Sequence, residues 1–209
     1  ILAYYSENIK LRWIIFRGNL KQFVIEKSEL TIDIYHKDGK YADIYQKTFF
    51  HKVNSNTKEH FISSIDVSGE IVASSVQTLN CYQSLNHEKN NISISYTNDM
   101  KKLNTLINYF KKNDKFLMYY MTLKNSFTNT EEESWDMFVN NLCQDYYVEI
   151  ILPPNKKVKY ARFIRNNKSK EVVDKIQPII IRHENRMKII LRVMNFDKNE
   201  SFKLVWSLS

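Results

Sequence analysis

Apolar and polar positions alternate through most of the 209-residue chain. Ile9, Leu11, Trp13 and Ile15 point one way, with Lys10 and Arg12 opposite. Leu30, Ile32 and Ile34 alternate with Thr31, Asp33 and Tyr35. The pattern continues at Phe61–Val67 and at Ile92–Tyr96, then at Met187, Ile189, Leu191 and Val193, and finally at Phe202, Leu204, Trp206 and Leu208. A period of two is the mark of half-buried β-strands. The segment from Phe116 to Leu123 is apolar on both faces and predicts a strand covered on both sides. Asp38-Gly39 falls between two such runs and predicts a hairpin over 30–36 and 41–50 with a type I′ turn.

Two segments carry a helical period instead. Leu103, Leu106, Ile107 and Phe110 follow Asp99, a candidate N-cap. Trp135, Phe138, Val139 and Leu142 follow Thr130, which forms a capping box with Glu133. Both are read as short amphipathic packing helices.

Residues 31–49 and 147–165 share a layout: an alternating strand with a central acid (Asp33, Glu149), a turn ending in lysine (Lys40, Lys156), then a more basic strand. This suggests an internal duplication. The expected fold is mainly β: tandem β-sandwich-like modules over 1–98 and 99–209, or one large sandwich. The alternative is an α+β domain with both helices on one sheet.

Composition narrows the chemistry. The chain has only three glycines, so no glycine-rich loop exists to hold a nucleotide phosphate, and no hydrolase, zincin or kinase signature is present. No cofactor is expected. No run approaches the roughly 20 apolar residues of a membrane helix. Cys81 and Cys143 stand alone, without metal-ligand spacing to a histidine, and are read as reduced thiols of an intracellular protein. His51 and His60 could meet beside Asp66 to bind zinc, and Cys81 with His87 could form a nucleophile pair, but ordinary surface and strand roles fit these residues better. Asp33, Asp43 and Glu149 lie on strands, yet the Glu-x-Lys element of a metal-dependent nuclease sheet is missing where it is needed. The chain begins at Ile1 rather than methionine, which suggests a module cut from a longer protein.

The net charge of +8 permits an anionic partner, although a Lys-, Asn- and Ile-rich, Ala-poor composition reflects an AT-rich coding sequence as much as function. The cations of the last third have a geometry. Arg186, Lys188 and Arg192 share one strand face, opposite Met187, Ile189, Leu191 and Val193. Lys157, Lys159 and Arg165 share a face of an earlier strand. If those strands are neighbours, they form a basic sheet face for nucleic acid or another acidic ligand. Replacing Arg186, Lys188 and Arg192 with glutamine would then leave the fold intact. The function expected is a non-enzymatic binding, sensing or assembly module, partnered by another protein or by the remainder of its own chain. The alternative is an enzyme acting on nucleic acid or another phosphorylated substrate.

Overall fold

The computed structural model describes residues 11–15, 23–52, 61–67, 69–78, 92–96, 102–107, 116–129, 131–139, 142–167, 170–196 and 200–209. The strands are β1 (Leu11–Ile15), β2 (Phe23–Ile34), β3 (Tyr41–Lys52), β4 (Phe61–Val67), β5 (Glu70–Thr78), β6 (Ile92–Tyr96), β7 (Lys102–Ile107) and β8 (Phe116–Lys124). They continue with β9 (Glu133–Val139), β10 (Cys143–Ile151), β11 (Val158–Asn167), β12 (Lys170–Val173), β13 (Ile179–His183), β14 (Arg186–Phe196) and β15 (Glu200–Leu208). The fold is mainly β, and the described residues contain no helix.

The strands form two sheets, an eight-stranded one in the order β12-β11-β15-β9-β1-β4-β7-β6 and a seven-stranded one in the order β13-β14-β10-β2-β3-β8-β5. Strands from both sides of residue 98 take part in each sheet. Among the described pairings, only the central β1–β9 and β2–β10 pairs are parallel. The inward faces merge into one hydrophobic core. Leu30, Ile32, Leu123, Val148, Ile150, Ile189 and Leu191 of the seven-stranded sheet meet Trp135, Phe163, Phe202, Leu204 and Trp206 of the eight-stranded one. This is how a sandwich satisfies two half-apolar sheets at once.

Where the described residues cover the two expected helices, they are strands, and Phe110 lies outside the described residues. Residues 102–107 form β7 between β4 and β6. Residues 133–139 form β9 between β15 and β1. Four apolar positions at helical spacing are a weak local preference. Sheet neighbours on both sides supply a complete backbone ladder, which overrides it, and Trp135, Phe138 and Val139 favour strands in any case. The capping-box glutamate does accept a backbone amide, but in the turn entering β9, where the Asn129 N–H donates to Glu133 Oε1 at 2.5 Å.

The β2–β3 hairpin forms as expected, with Ile32 opposite Ile44 and Asp33 opposite Asp43. Its turn is not type I′. The Gly39 N–H donates to the His36 carbonyl at 2.8 Å, and of the two residues Asp38 and Gly39 only Gly39 has positive φ, at 69°. The chain turns through Lys37 and Asp38 and then uses Gly39 in the left-handed region, a pattern of slightly longer hairpin loops. The suggested duplication ends at its first strand. Val148 lies beside Leu30 in the parallel β10–β2 pair, so the two matching strands are neighbours. Their successors part: β3 stays beside β2, whereas β11 crosses to the other sheet and pairs with β12 and β15.

Candidate binding surfaces

On β14 the alternation is as read, with Ile189, Leu191 and Val193 buried and Arg186, Lys188 and Arg192 on the outer face. Every one of these cations already has a carboxylate. Arg186 donates from Nη2 to Asp33 Oδ1 on β2 at 2.5 Å and to the Ile34 carbonyl, and from Nε to the Leu152 carbonyl. Lys188 Nζ lies 2.8 Å from Glu149 Oε1 on β10. Arg192 grips Asp145 with two parallel bonds, at 2.9 and 2.8 Å. The acids come from strands β10 and β2, and their alignment with β14 depends on the register of three strands distant in sequence. The row is an ion-pair ladder, and its side chains are held.

The ladder makes the three cations unequal. Arg186 is half-buried and holds backbone carbonyls as well as a carboxylate, whereas the Arg192 side chain is 60% exposed. Arg186→Gln is expected to lower unfolding free energy by about 2–3 kcal/mol, because it strands a partly buried acid and loses several charged hydrogen bonds. Arg192→Gln is expected to cost clearly less, because solvent screens so exposed a guanidinium. Urea titration of both variants checks this order.

Hydrogen bonds from Arg192 hold the Asp145 carboxyl below its ordinary range, outweighing the opposing effect of burial. A carboxyl lowered in the folded state adds stability above the ordinary aspartate value of about 4, and this is lost as pH falls through the lower folded value. Wild type should therefore lose more stability between pH 7 and pH 3 than Arg192→Gln does.

Lys159 and Arg165 belong to β11, in the other sheet, and Lys157 immediately precedes it, so the two basic rows are not neighbours. Nor do the three share a face. Val158 pairs with Leu208 and Tyr160 with Ser207, leaving Lys159 as the extra residue of a β-bulge. A bulge shifts the parity of every residue beyond it. Lys157 and Lys159 stay exposed, whereas Arg165 falls on the inward side with buried Phe163. There it donates to Asp174 Oδ2 at 2.7 Å and lies over the Phe202 ring at 5.1 Å. Arg162, on the outward parity, lies over the Tyr160 ring at 4.8 Å.

Residues that the alternation pattern left unremarked form the most extended run of exposed large hydrophobics among the described residues. β12 and β13 are the edge strands of the two sheets, joined by residues 174–178. Asp174 fixes that link. Its N–H donates to the Phe163 carbonyl and its Oδ1 accepts from the Ile176 N–H, both at 2.9 Å, while Arg165 holds its other oxygen. The two edges thus lie on the same side of the sandwich. Along them Val172, Val173, Ile176, Ile179, Ile180 and Ile181 are all exposed, Ile179 by 64%. Every residue of β13 is exposed, and its outer edge has no strand partner among the described residues. The only signal in the sequence is Pro178 before three isoleucines, a run that reads as a buried strand.

Cys143 is buried and free, and burial pushes its thiol up to about 12, so it is a packing residue at neutral pH. Cys81, His60 and His87 lie outside the described residues, as do the side chains of His51 and Asp66. Among the described residues no group of three or more His, Cys, Asp or Glu is placed to hold a metal ion. No helix among them is long and apolar enough to cross a membrane.

No family model matches the chain, and no curated protein matches it in sequence. Solved structures do share its fold. A candidate protease from Parabacteroides distasonis superposes with a TM-score of 0.52 at 7% identity, over 88% of this chain and 40% of that one. Leukotriene A4 hydrolase from Saccharomyces cerevisiae, in its native form, gives a TM-score of 0.44 at 10% identity, over 90% of this chain and 30% of its own. The chain therefore spans under half the length of these proteins, and at 7% identity the likeness to the Parabacteroides chain is one of fold alone.

Proposed function

We propose that the chain is a non-enzymatic assembly module, a β-sandwich that docks onto the remainder of a longer polypeptide through the β12–β13 edge. The observation that carries this reading is the exposed, isoleucine-rich edge strand β13, whose outer edge has no strand partner among the described residues, beside the valines of β12. Natural sheets blunt such edges with charge, proline or a covering segment, because an open edge templates pairing with another chain. β13 has Arg182 and His183 at one end and Pro178 before the other, but no charge across Ile179–Ile181. Contiguous apolar surface rimmed by polar residues is typical of interaction sites. An added strand would supply main-chain hydrogen bonds, and the isoleucines apolar contact. The likeness in fold supports an occupant from the same polypeptide, since the matched sandwich is only 40% of the Parabacteroides chain.

The β14 cations are engaged by carboxylates, so an anionic partner has Lys157, just before β11, and Lys159 and Arg162 within it to meet instead. The docking reading is tested by Ile179→Lys with Ile181→Lys. In the chain alone these exposed changes should move stability by less than about 0.5 kcal/mol each. In the longest native polypeptide carrying the chain, the sandwich should detach, giving a separate unfolding transition and new protease cutting near the edge. An unchanged single transition would refute docking at β13.

A further inference from the structure

The outer face of the seven-stranded sheet carries a second feature, on β2, β3 and β8, away from the β13 edge. The register sets Asp33 directly opposite Asp43, and Asp43 opposite Thr122. One row along, Thr31, Tyr45 and Tyr120 line up in the same way. Tyr35 and Tyr41 stand at the hairpin end, stacked with ring centroids 6.3 Å apart. The Tyr45 and Tyr120 rings are tilted at 4.9 Å. Tyr35 and Tyr45 are more than two-fifths exposed.

Like charges directly opposite each other on one sheet face are unfavourable. The structure resolves only half of this conflict. Asp33 is neutralised by Arg186. Asp43 accepts a hydrogen bond from the Thr122 hydroxyl at 2.7 Å, and no cation among the described residues pairs with it. Thr122 is in turn 3.1 Å from the Tyr120 hydroxyl, which fixes that ring's position. Burial raises the hydroxyl pKa of both Tyr35 and Tyr45, and the negative charge of Asp43 adds to the rise in each. The result is a carboxylate with no cation partner among the described residues, on a sheet face that also carries Tyr35, Tyr41, Tyr45 and Tyr120, in a chain whose overall charge is positive.

We propose that Asp43 with Tyr35, Tyr45 and Tyr120 forms a binding site for a cationic side chain, arginine or lysine, presented by an extended basic segment of a partner polypeptide. A ring face and a carboxylate together suit an organic cation, which gains from the ring quadrupole and the charge at once. Guanidinium is the better fit, being planar, weakly hydrated and able to stack. A divalent metal needs several oxygen ligands, and here Asp43 offers a single carboxylate, its neighbour Asp33 being held by Arg186.

The test is NMR of tyrosine ring resonances during titration with acetyl-arginine-N-methylamide, against its uncharged citrulline counterpart and a neutral trisaccharide. The arginine probe is expected to shift the Tyr45 and Tyr120 rings saturably, with affinity in the millimolar range appropriate to about one charge-assisted contact. Asp43→Asn, which keeps the oxygen that accepts from Thr122, should weaken the probe at least about fivefold. Tyr45→Ser, at an exposed position, should weaken it comparably and decides the matter should Asp43→Asn not fold. No saturable shift with arginine, or equal shifts with citrulline, overturns the proposal. So does binding of the trisaccharide that persists in Asp43→Asn, which would make the face a sugar platform.

Discussion

Gly39→Ala is expected to lower the unfolding free energy by more than about 3 kcal/mol, well beyond the ordinary cost of alanine at positive φ. The backbone at Gly39 has φ 69°, and a Cβ added there would lie 1.4 Å from the Phe127 carbonyl oxygen. Backbone, not a flexible side chain, occupies the space. That backbone is also tied to the hairpin. The Asn125 N–H donates to the Lys40 carbonyl at 2.6 Å, and the Phe127 N–H to the Gly39 carbonyl at 3.3 Å. The segment cannot retreat without losing these bonds and dragging the buried Phe127 ring, which packs 6.0 Å from Trp206. Urea unfolding measures the loss. A cost near 1 kcal/mol, the penalty for the left-handed conformation alone, would show that the 125–127 loop yields freely.

Trp206→Ala is the second large effect, expected at about 3–5 kcal/mol. Trp206 is fully buried in β15 of the eight-stranded sheet, and its ring contacts Phe127, which leads out of β8 of the seven-stranded sheet. Removing so large a ring opens a cavity that rigid sheets on either side cannot close. Because both sheets share the core, unfolding should stay a single transition at lower denaturant. Two separated transitions would mean that the sheets are independently stable.

What the sequence disclosed follows from the range of each signal. Strand alternation is local, so β2, β3, β8, β14 and β15 were legible, and so was the inward row Ile189, Leu191 and Val193. The helical reading failed over the described residues 103–107 and 135–139 because the competing β ladders come from strands far away in sequence. Pairing partners are equally non-local. In the sequence Glu149 is the central acid of a strand, and only the β10–β14 register shows that it engages Lys188 and that Asp145, earlier on the same strand face, engages Arg192. The bulge at Lys159 defeats parity counting without leaving a glycine or proline to mark it. The Ile179–Ile181 run was visible as apolar, but its place at a sheet edge is a property of the topology.

The docking reading reduces most directly to the backbone of β13. Amide hydrogen exchange should be followed, residue by residue, on residues 179–183 in the chain alone and in the longest native polypeptide that carries it. In the chain alone, the β13 amides that point away from β14 should exchange rapidly, as open edges do. In the longer polypeptide they should slow by orders of magnitude, while amides of central strand β10 stay slow in both. Equally rapid exchange of the β13 amides in both forms would contradict docking at this edge.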